Sequence, residues 1–425
     1  MATQRFAALR HREFRLYWIG YVVSVSGQQM LWMLEGWLIY EMTGNAIYFV
    51  GSAAAQAIPA TALVMLGGVF ADKFDQRKLL IMVQIGNILL LGLFAALALT
   101  EWLEYWHILA IGFAHSAVGS FENPARQSMF PHLVDRVAMP NAVALNSSIH
   151  PLTRILPPAL GGLILAAVFD FTGSAEVAAG SVLLITVFGI AVYTAMLTQI
   201  KMPRVERARG GTLRADMTAG ARFIWDRRIF GFLISLAYFN MGFGQSMTIL
   251  MPVIAKDVLG VGPDGLGLMW GAQGLGSLAG VVISSQYGSP GNQRRLLVFN
   301  PMLMGASMIA FALTPLYVAS LFILFVFGTG ASAANVAIQQ NLQMLVPNEF
   351  RGRVMGVWSI VHTSLRPMGE MQFSGMAALL SAPVSLVASG VVVIAGALLY
   401  TAPSRYAHAL KDLRQAALDE ARVVR

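Results

Sequence analysis

Apolar residues run along this chain in blocks too long for the core-facing stripe of a soluble helix. Twelve such blocks carry few charges, near 16–40, 47–70, 79–99, 107–130, 141–168, 177–199, 229–255, 265–287, 296–314, 317–345, 354–381 and 383–402. An apolar helix of about 20 residues crosses the hydrocarbon core of a bilayer. The pattern therefore predicts an all-α membrane protein with twelve transmembrane helices. The first block is too long for a cleavable signal peptide and lacks a short apolar region followed by a small-residue cleavage site.

Composition narrows the class. Of 425 residues, 56% are hydrophobic and 12% charged, about half the charged share of a soluble domain. Disorder is excluded too, since it needs low hydrophobicity and high charge. The absence of cysteine removes disulfide scaffolds, thiolate nucleophiles, iron–sulfur clusters and Cys-ligated zinc. The net charge of +8 points to nucleic acid only where basic residues share a face. Here topology explains it. With the N-terminus inside the cell, 26 of 29 basic residues fall in cytoplasmic segments, as the positive-inside rule requires. Lys256 lies outside, and Arg154 and Arg366 lie within spans. Both termini are thus expected in the cytoplasm and the chain in the cell membrane. The basic stretch between the sixth and seventh spans has no aromatic platform for nucleic acid and suits a linker against anionic headgroups.

The chain also repeats itself. A shift of 217 places Tyr21 on Tyr238, Gln28 on Gln245, Gln56 on Gln273 and DQRKLL (75–80) on NQRRLL (292–297). A shift of 212 places Gln127 on Gln339, His150 on His362 and Arg154 on Arg366. Matches of Gln, His and Arg inside spans carry weight because such residues are costly there. The domains read as a six-helix bundle at 1–199, a linker at 200–228, a second bundle at 229–403 and a tail at 404–425. Parallel halves with a site between them near the midplane form a transporter architecture.

The segment GGVFADKFDQRKLL (67–80) resembles the loop signature between the second and third spans of the major facilitator superfamily. Gly68, Asp72, Lys73, Arg77 and Lys78 match it, and Asp75 replaces the usual second glycine. The segments NPARQ (123–127), NAVALNS (141–147), RILPPALGG (154–162) and RGRVMGVWS (351–359) resemble the enterobactin-exporter and proton-coupled drug-exporter branch, with Pro157 where a glycine is usual. The resemblance implies a secondary transporter that works by alternating access and exports a small solute in exchange for protons. It also implies a gating role for the loop. Asp72, an acid in a basic stretch that faces a basic opposite half, is expected to latch the cytoplasmic side in the outward-facing state, against Arg351, Arg353 or the start of the eleventh span.

Charges inside the membrane are the candidate chemistry. His150 with Arg154, and His362 with Arg366, are i,i+4 pairs, so each pair shares a helix face. Glu122 with Arg126 and Arg366 with Glu370 have the same spacing; Arg154 and Glu35 have no such local partner. Positive charge from both halves predicts an anionic or acceptor-rich substrate. Glu35, then Glu122, are the candidate proton carriers, and Gln28 and Gln245 candidate cavity-lining groups. No phosphate-binding loop, HExxH, G-x-S-x-G or metal-spaced histidine cluster occurs, so no enzyme activity, cofactor or metal is expected. The working expectation is a monomeric exporter; the alternatives are a proton-coupled importer of a small anion or a non-transporting sensor on the same fold.

Overall fold

Blocks rich in Leu, Ala, Met and Phe favour helix, and a computed structural model shows helix at every predicted span. It describes residues 7–201, 228–287, 293–346 and 348–400; most of the predicted linker, and nearly all the tail, lie outside these. The first half comprises α1 (Arg12–Thr43), α2 (Tyr48–Lys73), α3 (Gln76–Leu99), α4 (Tyr105–Gly119), α5 (Glu122–Met129), α6 (Met139–Thr153), α7 (Leu156–Thr172) and α8 (Ala175–Gln199). The second comprises α9 (Arg228–Tyr238), an irregular run to Val258, α10 (Pro263–Tyr287), α11 (Gln293–Leu313), α12 (Tyr317–Leu345), α13 (Asn348–Leu379) and α14 (Ala382–Tyr400).

Three predicted spans are not single helices. The fourth divides into α4 and α5 around Ser120 and Phe121. The fifth divides into α6 and α7 at Arg154 and Ile155, just before Pro157 and Pro158; proline lacks the N–H and crowds the preceding turn. The seventh leaves regular helix after Tyr238 for a wide π-type turn over Phe239–Gly244, then a tight 3-10 run over Gln245–Leu250.

Among the described residues, six helices are apolar and long enough to cross a membrane by composition alone. In α1 the polar residues Gln28, Gln29 and Glu35 interrupt the apolar run.

Within the first half α8 packs on α1 and α3, and within the second α12 packs on α10 and α11, with α14 beside α11. The halves meet along two pairs, α2 with α13 and α7 with α10. Glycine sets the second crossing. A Cβ on Gly274 would lie 2.4 Å from the Arg154 carbonyl oxygen, and one on Gly267 would lie 2.7 Å from that of Pro158. Bare backbone on α10 therefore rides against the break between α6 and α7, as small residues permit in membranes. That contact holds Arg154 at the interface between halves.

Candidate functional site

A cavity of about 400 Å³ lies between the halves. From the first half it is lined by Trp32, Glu35 and Ile39 of α1, Ser52 and Gln56 of α2, and Ser116 of α4. From the second come Thr248, Ile249 and Pro252 of the irregular run, Trp270 of α10, and Arg366, Pro367 and Glu370 of α13.

Its acids are held differently. Glu35 accepts hydrogen bonds from Ser52 Oγ at 2.7 Å and Gln56 Nε2 at 2.9 Å. Glu370 Oε1 accepts from Arg366 Nε at 2.9 Å, the i,i+4 ion pair anticipated from spacing. The Arg366 guanidinium also sits 4.9 Å from the Trp32 ring centroid, within the range of a cation–π contact.

A smaller pocket of about 30 Å³ shares Trp32, Thr248, Trp270 and Arg366 with the cavity and adds Arg154, Gln273 and Gly274. Both repeat-related arginines thus line one place. Arg154 forms no hydrogen bond or ion pair with any described residue. Trp270 Nε1 and Gln273 Oε1 are buried there with no hydrogen-bond partner among the described residues. Buried polar atoms are seldom left so.

At the end of the bundle opposite Arg12, the cavity is roofed by contacts between halves. Tyr40 Oη donates to the Asp257 carboxylate, and Lys256 Nζ pairs with Glu41 Oε2 at 2.8 Å. Tyr40 and Asp257 are 217 positions apart, the first repeat shift, so this bond joins equivalent positions of the two halves.

Other predicted residues lie elsewhere. Gln28, His150 and Glu122 do not line the cavity. His150 Nε2 meets the Tyr21 hydroxyl at 3.3 Å. Glu122 opens α5 after the break, and the anticipated ion pair with Arg126 does not form. Arg126 instead lies 4.4 Å from the centroid of the Tyr21 ring and donates to Asn123 Oδ1. Arg77 is tied within its own half to the carbonyls of Leu197, at 2.8 Å, and Thr198. Lys78 is held through its backbone N–H, which donates to Asp75 Oδ1 at 3.0 Å. Asp75, where the loop signature has glycine, is thus the N-cap of α3. The side chains of Gly68, Asp72, Lys73, Gln245, Arg351, Arg353 and His362 lie outside the described residues.

Trp32, Trp270, Ser52 and Gln273 were not singled out for the site from sequence. The repeat had paired Gln273 with Gln56, which was the available signal; tryptophan in an apolar block carries none.

Two parallel six-helix bundles around a shared polar cavity define a transporter of the major facilitator type. More narrowly, the chain belongs to the transmembrane secretion effector family, whose model matches residues 3–420. It is 23% identical over 388 residues to the enterobactin exporter EntS of Shigella boydii serotype 4 (strain Sb227), covering 89% of each chain. It is 23% identical over 382 residues to EntS of Escherichia coli O81 (strain ED1a), covering 88% of this chain and 84% of that one. Its fold matches a bacterial homologue of the human lysosomal transporter Spinster, with TM-score 0.70, 13% identity, and 93% and 96% of the two chains covered. It also matches a bacterial homologue of the iron transporter ferroportin, with TM-score 0.70, 15% identity, and 93% and 99% covered.

Proposed function

We propose that this transporter exports a small organic solute with an anionic or acceptor-rich head in exchange for protons, from a monomer in the cell membrane with both termini in the cytoplasm. The observation that carries the reading is Arg154: a cation with no partner among the described residues, held at the interface of two halves in a small pocket that both build. An arginine at the bilayer centre costs at least ~2.5–3.5 kcal/mol, and no carboxylate among the described residues pairs with it. Export is supported by the likeness to the enterobactin exporters; Glu35, in the adjoining cavity, is the proton carrier in this reading. A second reading, proton-coupled uptake of a small anion, is favoured by Glu35 lining the same cavity as Arg366.

The test uses proteoliposomes loaded with the pH dye pyranine and challenged with enterobactin, aromatic and aliphatic organic acids, and cationic dyes. Proton movement opposite to solute movement supports export, and movement in the same direction supports uptake. Silence with every solute, in either orientation of an imposed pH gradient, overturns coupled transport.

A further inference from the structure

The two repeat shifts explain why particular groups in the small pocket have no partner among the described residues. In the first half Glu35 is bonded by Gln56. Shifted by 217, Gln56 becomes Gln273 but Glu35 becomes Pro252, so the second amide has no acid to meet. In the second half Arg366 is paired with Glu370. Shifted back by 212, Arg366 becomes Arg154 but Glu370 becomes Pro158, so the first-half arginine has no acid either. Each half keeps one complete pair and one broken one. The survivors of both broken pairs, Arg154 and Gln273, line the same pocket, with the indole N–H of Trp270 beside them.

Resting on the transport reading above, we infer that this pocket is a head-group subsite for a carboxylic acid bearing a hydroxyl or amino group on the neighbouring carbon. Arg154 and Trp270 Nε1 donate to the carboxylate, and Gln273 Oε1 accepts from the neighbouring O–H or N–H. The size agrees: about 30 Å³ holds roughly two water-sized groups, enough for a compact head but not a ring. The rest of the solute extends into the larger cavity, where Trp32, Phe49 and Ile39 offer apolar walls. A guanidinium alone would accept any anion. Gln273 adds selectivity, since a site built to bond a hydroxyl rejects the analogue lacking it.

Binding to the purified, detergent-solubilised protein, measured by isothermal titration, tests this without transport. The probes are mandelate, phenylacetate, which lacks the hydroxyl, and mandelamide, which lacks the anion. Mandelate should bind at least tenfold more tightly than phenylacetate, and mandelamide more weakly than mandelate by a similar factor. Gln273→Met, close in size, should bring mandelate down to phenylacetate and leave phenylacetate unchanged. Arg154→Gln should weaken both acids. Equal affinities for mandelate and phenylacetate in the wild type, a preference that survives in a folded Gln273→Met protein, or no binding of mandelate overturns the subsite. Because binding is read directly, a transporter without proton coupling could still pass, and a coupled one could still fail.

Discussion

Arg154 and Glu35 mark opposite ends of what one side chain can do in the cavity. Arg154 has no hydrogen-bond or ion-pair partner among the described residues, so its removal should cost the fold little and the ligand much. A hydrogen bond to a charged group is worth about 1.5–3 kcal/mol, so Arg154→Gln should weaken an anionic solute by roughly 10- to 100-fold while the protein elutes normally on gel filtration. Glu35 is satisfied by Ser52 and Gln56; Glu35→Gln should therefore leave solute binding detectable and abolish the response to a pH gradient in proteoliposomes. Wild-type transport in both variants would make the charges purely structural. Arg154, Arg366, Glu35 and Glu370 were legible in the sequence because a charge within an apolar block stands out. Trp32 and Trp270 were not, since an aromatic ring is equally at home in lipid, core or cavity. Glu122 and His150 carried the same signal as Arg154, and only the breaks and packing of their helices decided that they lie away from the cavity.

The broken helices position these residues. Arg154 ends α6, and α10 holds that break in place through backbone contact at Gly274. A methyl group there would meet the Arg154 carbonyl at 2.4 Å, and overpacking of this kind costs about 1–3 kcal/mol. Gly274→Ala should accordingly lower the thermal unfolding midpoint in detergent. Gly92→Ala, with nothing within 4 Å of the added methyl, should leave it unchanged or raise it. Equal midpoints would show that the crossing adjusts freely. The existence of every span was legible from apolar length, and the repeat gave the division into halves. The breaks in the fourth, fifth and seventh spans were not, because hydropathy is blind to which backbone groups pair. Proline marks the fifth-span break; no comparable residue marks the π-type turn after Tyr238. Asp75 likewise looked like a departure from the loop signature until its carboxylate was seen capping α3.

At the scale of the whole molecule, Tyr40 with Asp257 and Glu41 with Lys256 close one end of the interface between the halves. Alternating access requires these contacts to part. The natural absence of cysteine makes the test clean: Glu41→Cys with Lys256→Cys, joined by a short bifunctional thiol reagent, should arrest transport, and a cleavable reagent followed by reductant should restore it. Undiminished flux through the cross-linked protein would mean that this end never opens. Placing Glu35 in a cavity that adjoins the Arg154 pocket has a further consequence, for the currency of exchange. Like charges facing one low-dielectric space repel several times more strongly than they would in bulk water. Neutralising Glu35 with a proton thus strengthens the hold on an anion, and the coupling is reciprocal. A solute that is only an anion becomes the proton's fellow passenger. A solute that also carries a positive group near Glu35 becomes its rival, and only a rival can be traded outward for a proton. Lowering the pH should tighten mandelate in the same titration; an unchanged affinity would mean that the proton on Glu35 is not felt at the head group.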